Sequence, residues 1–175
     1  AGVALTFVRA ELAVNRTEIW RLIAPSVGAN TVAVTLVNPA VETACISISV
    51  TGANQTTPIS NQAAATGNTA APSVTVPSAV NRLVIGFVTS ERNNTDAQIT
   101  PGAGQTQRFS QSGPTVDRPR IETTDELGAA SVVTNWTLAA ATNWIAQVID
   151  LDVAGAPPAG PAAGLRTLAM TGVGI

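Results

Sequence analysis

Few side chains in this sequence could do chemistry, and their types argue against catalysis. The chain has no histidine, and all nine of its basic residues are arginine, so the bases that most often activate a serine or cysteine nucleophile are missing. A carboxylate base remains open, but no Gly-x-Ser-x-Gly motif accompanies it. The single cysteine, Cys45, falls on the polar side of an alternating strand pattern, where a small spacer is expected. We therefore predict that the protein is not an enzyme.

Ligands for metals and cofactors are equally sparse. Zinc, copper and haem sites use histidine and cysteine, of which the chain has only Cys45. Calcium needs only oxygen ligands, and Asp150 and Asp152 lie two residues apart at the end of a strand pattern, but no Asp-x-Asp-x-Asp-Gly loop occurs. We predict no metal and no cofactor, and a weak calcium site stays open as the alternative.

Four Asn-x-Ser/Thr sequons could carry modification. They begin at Asn15, Asn54, Asn93 and Asn135. As glycan acceptors they imply exposed positions in a secreted protein. The alternative interpretation is an ordinary polar surface rich in asparagine and threonine.

The composition restricts the possible partners. Charged residues make up only 11% of the 175 residues and the net charge is -2, whereas an ordinary soluble protein has about 25% charged residues. Such a weakly charged, hydroxyl-rich surface is suited to packing against copies of the same chain, or to carrying glycans that are bound or covalently attached.

Other partners are disfavoured. The arginines are dispersed, which argues against binding to nucleic acid, and the sequence has no run of about 18 apolar residues that could span a membrane. The chain begins at Ala1 without an initiator methionine, as a processed mature chain would. We expect an extracellular or cell-surface protein.

The elements that must position these residues are strands. Apolar residues alternate with polar or small ones through residues 31–36 and 44–50, which is the period of a half-buried strand. Further strands are predicted at 3–9, 18–24, 73–76, 81–89, 105–109, 130–138, 143–151 and 165–171, separated by glycine and proline. Residues 60–71 and 110–128 are predicted as loops, the first polar and the second charged and exposed. Short strands at this spacing predict an all-β, antiparallel sandwich of the jelly-roll kind.

The three tryptophans are candidates for either a core or a binding surface. Trp20, Trp136 and Trp144 all fall within strand patterns beside apolar residues, which favours the core. An exposed tryptophan would instead offer a platform for carbohydrate.

The clearest boundary in the sequence is rich in proline, alanine and glycine. We divide the chain into a sandwich module at 1–152, a semi-extended linker at 153–164 and a C-terminal apolar strand at 165–175.

Several segments resemble uncharacterised β-sandwich modules of secreted bacterial proteins. The matching pieces are Trp-x-Leu-x-x-Pro at 20–25, Gln-Thr-Thr-Pro at 55–58 and Gly-Ala-Gly-Gln-Thr-Gln-Arg-Phe at 102–109. The resemblance implies the fold and carries no catalytic residues. Modules of this kind have another strand before the Val-Ala-Leu-Thr segment at 3–6 and end near residue 151. Relative to them, this chain is one strand short at the front and one strand longer at the back.

This difference leads to the functional hypothesis. A sandwich that lacks a strand can be completed by a neighbouring subunit, which produces a filament when the contact does not close into a ring. We predict a structural subunit of an extracellular filament or surface assembly that polymerises by donating a terminal strand. The donor is either the N-terminal strand or the C-terminal one, with the interface residues Val3, Leu5, Phe7, Leu165, Leu168, Met170, Val173 and Ile175. The alternative is a carbohydrate- or surface-binding module, including the capsid-decoration type.

Overall fold

The computed structural model describes residues 2–13, 15–36, 43–91, 99–111 and 120–154, and all regular structure in these ranges is β-strand. The strands are β1 (Thr6–Leu12), β2 (Arg16–Arg21), β3 (Ile59–Thr69), β4 (Ser73–Pro77), β5 (Leu83–Ser90), β6 (Thr100–Pro101), β7 (Thr106–Gln111), β8 (Arg120–Leu127), β9 (Ser131–Thr137) and β10 (Thr142–Leu151). Every strand pair is antiparallel. The predicted all-β, antiparallel class is therefore confirmed.

The strands form three sheets. A large sheet has the order β3-β10-β5-β8-β7, a small sheet has the order β4-β9-β6, and β1 pairs with β2 in a hairpin. The long central strand β10 bonds to β3 on one side and to β5 on the other. The predicted strands at 73–76, 81–89, 105–109, 130–138 and 143–151 correspond to β4, β5, β7, β9 and β10, and those at 3–9 and 18–24 overlap β1 and β2.

The main core lies between the large and the small sheet. Its buried side chains come from β4, β5, β9 and β10, with Ile99 and Leu138 beside them. Val76, Val84, Val88 and Val148 are fully buried, as is the indole of Trp136. Burial of a Val side chain stabilises the fold by roughly 1.5–3 kcal/mol, so this cluster is the main source of stability in the sandwich.

A second core covers the opposite face of the large sheet. Ile85, Ile149 and Leu151 are buried there, because successive residues of a strand point to opposite faces. Ile19 of the hairpin packs against them from above, together with Ile48 and Val50. The centre of the large sheet is thus buried on both faces, and the hairpin is a third layer over the two-sheet sandwich.

Gly86 in β5 is required by the packing of the main core. A Cβ at this position would lie 2.8 Å from Cζ2 of Trp136 and 2.6 Å from Cγ2 of Thr134, closer than real Cβ contacts. We expect Gly86→Ala to lower the free energy of unfolding by about 2 kcal/mol through overpacking. Urea unfolding followed by tryptophan fluorescence measures this loss. Gly2→Ala is the control, since a Cβ at Gly2 contacts nothing within 4 Å; equal stabilities for the two variants would contradict the packing argument.

The prediction of a polar loop at 60–71 is wrong. These residues lie mostly in β3, which pairs with β10 along its length. Ala63 and Ala65 pack against the main core, and a Cβ at Gly67 would lie 2.6 Å from Cζ2 of Trp144. Small side chains have low strand propensity, but Gly67 leaves room for the ring of Trp144 on the neighbouring strand β10, and the pairing with β10 overrides the local preference.

The prediction of an exposed charged loop at 110–128 is also wrong in its second half. Residues 120–127 form β8, which lies between β5 and β7 and is largely buried. Asp125 of β8 accepts from Arg108 of β7, and Glu126 accepts from Thr134 of β9 in the small sheet, and the local composition does not reveal these partners.

Residues 31–36 and 44–50 differ from the prediction in another way. The first segment stays exposed throughout, and the second shows the alternating burial of a strand. Neither joins a ladder with any other described residue. The predicted strand at 165–171 lies outside the described residues. Of the linker at 153–164, only Val153 and Ala154 are described, and they bond to the segment around Ala53.

Candidate interaction site

The exposed large apolar side chains are concentrated in the N-terminal part of the chain. Thirteen are exposed in the described residues, and nine of them lie between residues 3 and 36: Val3, Phe7, Leu12, Trp20, Leu22, Val27, Val32, Val34 and Leu36. Single exposed apolar residues on a surface are ordinary, but this part of the chain carries most of those in the described residues, which makes it the first candidate for an interaction site.

We call residues 31–36 the open segment. Its apolar side chains Val32, Val34 and Leu36 alternate with Thr31, Ala33 and Thr35, and are 52%, 55% and 44% exposed. The backbone of the open segment forms no hydrogen bond with other described residues. Unpaired strand backbone is a template for pairing with another chain. The open segment therefore combines an apolar stripe with backbone groups that have no partner in the described part of the chain.

Residues 43–50 form a second strand-like segment, which we call the inner segment. Ile46, Ile48 and Val50 are partly buried, and the last two contact the second core. Cys45 is exposed on the other side, as the alternation predicts. The inner segment joins no ladder within the described residues, and the side chains of Ile48 and Val50 attach it to the second core.

The predicted interface residues at the N terminus lie beside the hairpin. Val3 and Phe7 are exposed and Leu5 is partly buried. From Thr6 onward the chain pairs with β2 of the same molecule, so half of the predicted N-terminal donor strand already has a partner. The other predicted interface residues, Leu165, Leu168, Met170, Val173 and Ile175, lie outside the described residues.

One of the three tryptophans, Trp20, lies on the hairpin and is exposed, unlike the other two. Trp136 and Trp144 are buried in the main core, as the strand pattern favours, whereas Trp20 is 49% exposed. Trp20 lies directly opposite Phe7 in the β1–β2 register, and their ring centroids are 5.1 Å apart at an interplanar angle of 70°. This edge-to-face contact orients both rings on the outer face of the hairpin.

Polar side chains continue the same face along β2. The indole Nε1 of Trp20 donates to Oε2 of Glu18 at 2.8 Å, and Nε of Arg16 donates to Oε1 of Glu18 at 2.6 Å. The bonds from Trp20 and Arg16 lower the pKa of Glu18 below its ordinary value, because they stabilise the ionised form. Arg16, Glu18 and Trp20 thus form a connected row on one exposed face.

The sequons differ in their surroundings. Asn15 lies at the turn between β1 and β2, and Asn135 lies within β9. Oδ1 of Asn54 accepts from the backbone of Thr56 and Thr57, and its Nδ2 donates to Asp152. In the folded structure, Nδ2 of Asn54, the atom to which a glycan would be attached, is therefore already engaged in a hydrogen bond. Asn93 lies outside the described residues.

The acidic pair at the end of β10 has a partner that sequence reasoning missed. Nη1 of Arg82 donates to Asp150 at 2.8 Å, and its Nε lies 3.6 Å from Asp152. Ser78 and Asn61 also donate to Asp150. This guanidinium supplies the positive charge that a calcium ion would bring. Among the described residues, no group of three or more acidic, histidine or cysteine side chains is placed to hold a metal.

A buried carboxyl group in β8 was also missed. Glu122 is fully buried on the face turned to the main core, and burial raises its pKa to about 7. Nε2 of Gln107 donates to its Oε2 at 3.3 Å, and Oε1 has no hydrogen-bond partner among the described residues. Glu126 on the same face accepts from Thr134, and burial raises its pKa as well. The sequence carries no local signal for this site, because the neighbouring strands β5 and β7 and the facing small sheet bury these side chains.

No helix in the described residues is long and apolar enough to cross a membrane. The chain matches no protein-family model, no curated protein and no solved structure. The resemblance to secreted bacterial modules therefore stays a prediction.

Proposed function

We propose that the chain is a structural subunit that assembles with copies of itself, by donation of a terminal β-strand, into an extracellular filament or surface assembly. The observation that carries this proposal is the open segment, where an exposed, alternating apolar stripe coincides with backbone groups that pair with no other described residue. A strand from a second copy would satisfy both at once, since main-chain hydrogen bonds and alternate side-chain contacts form in the same step.

The C-terminal segment is the better donor of the two that the sequence offers. It carries five large apolar residues within eleven positions: Leu165, Leu168, Met170, Val173 and Ile175. Val153 and Ala154 of the predicted linker bond to the sandwich, and the ten residues after them could span up to about 35 Å when extended, which is enough to reach a neighbouring molecule. Donation by the N-terminal strand would instead break its pairing with β2.

The geometry of such a contact favours a chain of subunits. The donor and the acceptor are different parts of the molecule, so the contact is head-to-tail, and it forms an open filament unless the rotation closes a ring. The low charge of the surface supports close packing of copies, and the sequons support an extracellular setting.

We expect Val34→Asp to prevent assembly. The side chain of Val34 is exposed in the single molecule, so its own fold is unaffected, whereas pairing would bury an unpaired carboxylate. A cost of about 3 kcal/mol raises the concentration needed for assembly about 100-fold. Negative-stain microscopy and light scattering over a concentration series measure this change.

Val133→Asp is the matched control, because Val133 is 51% exposed but lies on the outer face of the paired strand β9. This control should assemble like the parent chain. The proposal is wrong if the parent chain stays monomeric at every concentration, or if Val34→Asp assembles as readily as the control.

A further inference from the structure

We infer that the outer face of the β1–β2 hairpin is a binding site for a neutral carbohydrate, with Trp20 as the stacking platform and Glu18 and Arg16 as the hydroxyl partners. This site is separate from the open segment and goes beyond the proposed assembly. Sequence reasoning left carbohydrate binding open, and the condition for it was an exposed tryptophan beside convergent polar groups.

The exposure of Trp20 is the first step of the argument. The fold buries Trp136 and Trp144 almost completely, yet leaves about half of Trp20 in solvent. A large aromatic side chain gains stability from burial, and exposed indoles are enriched where a partner covers them. Trp20 is therefore placed for a ligand with an apolar face.

The indole is also held in one orientation. The ring of Phe7 contacts it edge-to-face from the neighbouring strand, and its Nε1 is bonded to Glu18. A ring that is fixed before binding loses little conformational entropy when a ligand stacks on it. Sugar rings present C–H groups on one face and hydroxyls at the rim, which matches a rigid ring with polar neighbours.

The polar neighbours supply both kinds of hydrogen bond. Glu18 is ionised at neutral pH, because the bonds from Trp20 and Arg16 lower its pKa, and it accepts from hydroxyls. The guanidinium of Arg16 is largely exposed and uses Nε for Glu18, which leaves its terminal N–H groups to donate to hydroxyls. Same-face neighbours on a strand are about 6.6 Å apart, so these groups lie beside a ring stacked on Trp20.

The shape and charge of the face favour a neutral sugar. On β1, the small side chain of Ala10 lies opposite Glu18, between the larger Phe7 and Leu12. The surface of the hairpin therefore has a shallow depression at Ala10, in the middle of the face. The charges of Arg16 and Glu18 cancel, so the row has no net charge that would select a charged ligand.

The test uses the Val34→Asp chain, so that self-assembly cannot mask or imitate binding. An array of neutral oligosaccharides identifies a retained sugar, and calorimetric titration measures its affinity for each variant. In the chain that keeps Trp20, acrylamide quenching of tryptophan fluorescence also reports contact with that exposed indole. The bound sugar should protect the fluorescence from quenching. Trp20→Ala should weaken binding at least 50-fold, Trp20→Phe less than 10-fold and Glu18→Gln at least 5-fold. Leu127→Ala, which removes an exposed side chain at the end of β8, should have no effect.

Three results would overturn the inference: no retained sugar on the array, equal binding by the Trp20→Ala and Leu127→Ala variants, or retention of charged sugars alone with loss in 0.5 M salt. If Trp20→Ala in the parent chain blocks assembly and changes no sugar binding, the hairpin face is a contact between copies instead. Failure of the assembly proposal leaves this test unaffected, since the Val34→Asp chain does not need to assemble.

Discussion

Replacing Asp150 by asparagine is expected to lower the free energy of unfolding by about 3 kcal/mol. Asp150 is fully buried at the end of β10, and its carboxylate accepts hydrogen bonds from Ser78 at 2.6 Å, from Asn61 at 2.9 Å and from Arg82 at 2.8 Å. These partners come from β3 and from the turn between β4 and β5, so one carboxylate joins three parts of the sandwich.

The physical reason for the size of the effect is the number of donors. An asparagine has nearly the same shape, but it replaces one acceptor oxygen by an NH2 group, which must then face a donor. It also removes the charge that pairs with Arg82. Hydrogen bonds to a charged group contribute about 1.5–3 kcal/mol each, and a donor left without its acceptor loses stability further.

Asp152→Asn is the matched control for this prediction. Asp152 lies two residues away and faces the same arginine, but its side chain is 30% exposed and the distance to Nε of Arg82 is 3.6 Å. A partly exposed ion pair contributes about 1 kcal/mol or less. Urea unfolding of both variants at pH 7 gives the comparison. Similar losses for the two would mean that burial of Asp150 does not set its contribution.

The second large effect is on the pH dependence of stability, and its origin is Glu122. Burial raises the pKa of this carboxyl group from its ordinary 4.5 to about 7. A carboxyl group whose pKa is raised by folding binds its proton more tightly in the folded state than in the unfolded chain. Its stabilising effect is therefore fully present below pH 4.5, and is lost as the pH rises towards 7. The corresponding loss is about 3 kcal/mol.

Glu122→Gln is expected to remove most of this dependence. Glutamine imitates the neutral carboxyl group, so the variant and the parent chain should have similar stability at pH 4.5. At pH 8, the variant should be more stable by about 3 kcal/mol. Urea unfolding at pH 4.5, 6 and 8 measures the two curves. The pKa of Glu126 is raised for the same reason, so a smaller slope of the same sign should remain in the variant.

Glu18→Gln is the control for Glu122→Gln. Glu18 lies on the exposed face of the hairpin, and its pKa is lowered. Its contribution is therefore present at neutral pH and is lost as the pH falls, which is the opposite sign. If Glu122→Gln leaves the stability at pH 8 unchanged, the carboxyl group is not buried as described.

The alternation of apolar and polar residues was sufficient to predict the class of the fold. The pattern Ser-Val-Thr-Val in β4 has the period of the pleat of a sheet, and the run from Trp144 to Leu151 in β10 is a short, mainly apolar run of the kind typical of a strand buried on both faces. The same reasoning placed Trp136 and Trp144 in the core and Cys45 on an exposed face. These features depend on neighbours in the chain, so the sequence alone carries them.

Only the tertiary structure decided which patterned segments pair and which polar residues are buried. β3 is a strand because it pairs with β10, and the open segment, with a clearer strand pattern, has no partner among the described residues. Trp20 is exposed although its local pattern resembles that of Trp136, and Glu122 is buried although its neighbours are charged. Each of these outcomes depends on contacts between residues far apart in the chain. Such contacts form only when the sheets assemble. The pairing of a strand and the burial of its side chains depend on the neighbouring strands and on the facing sheet, and not on the segment by itself.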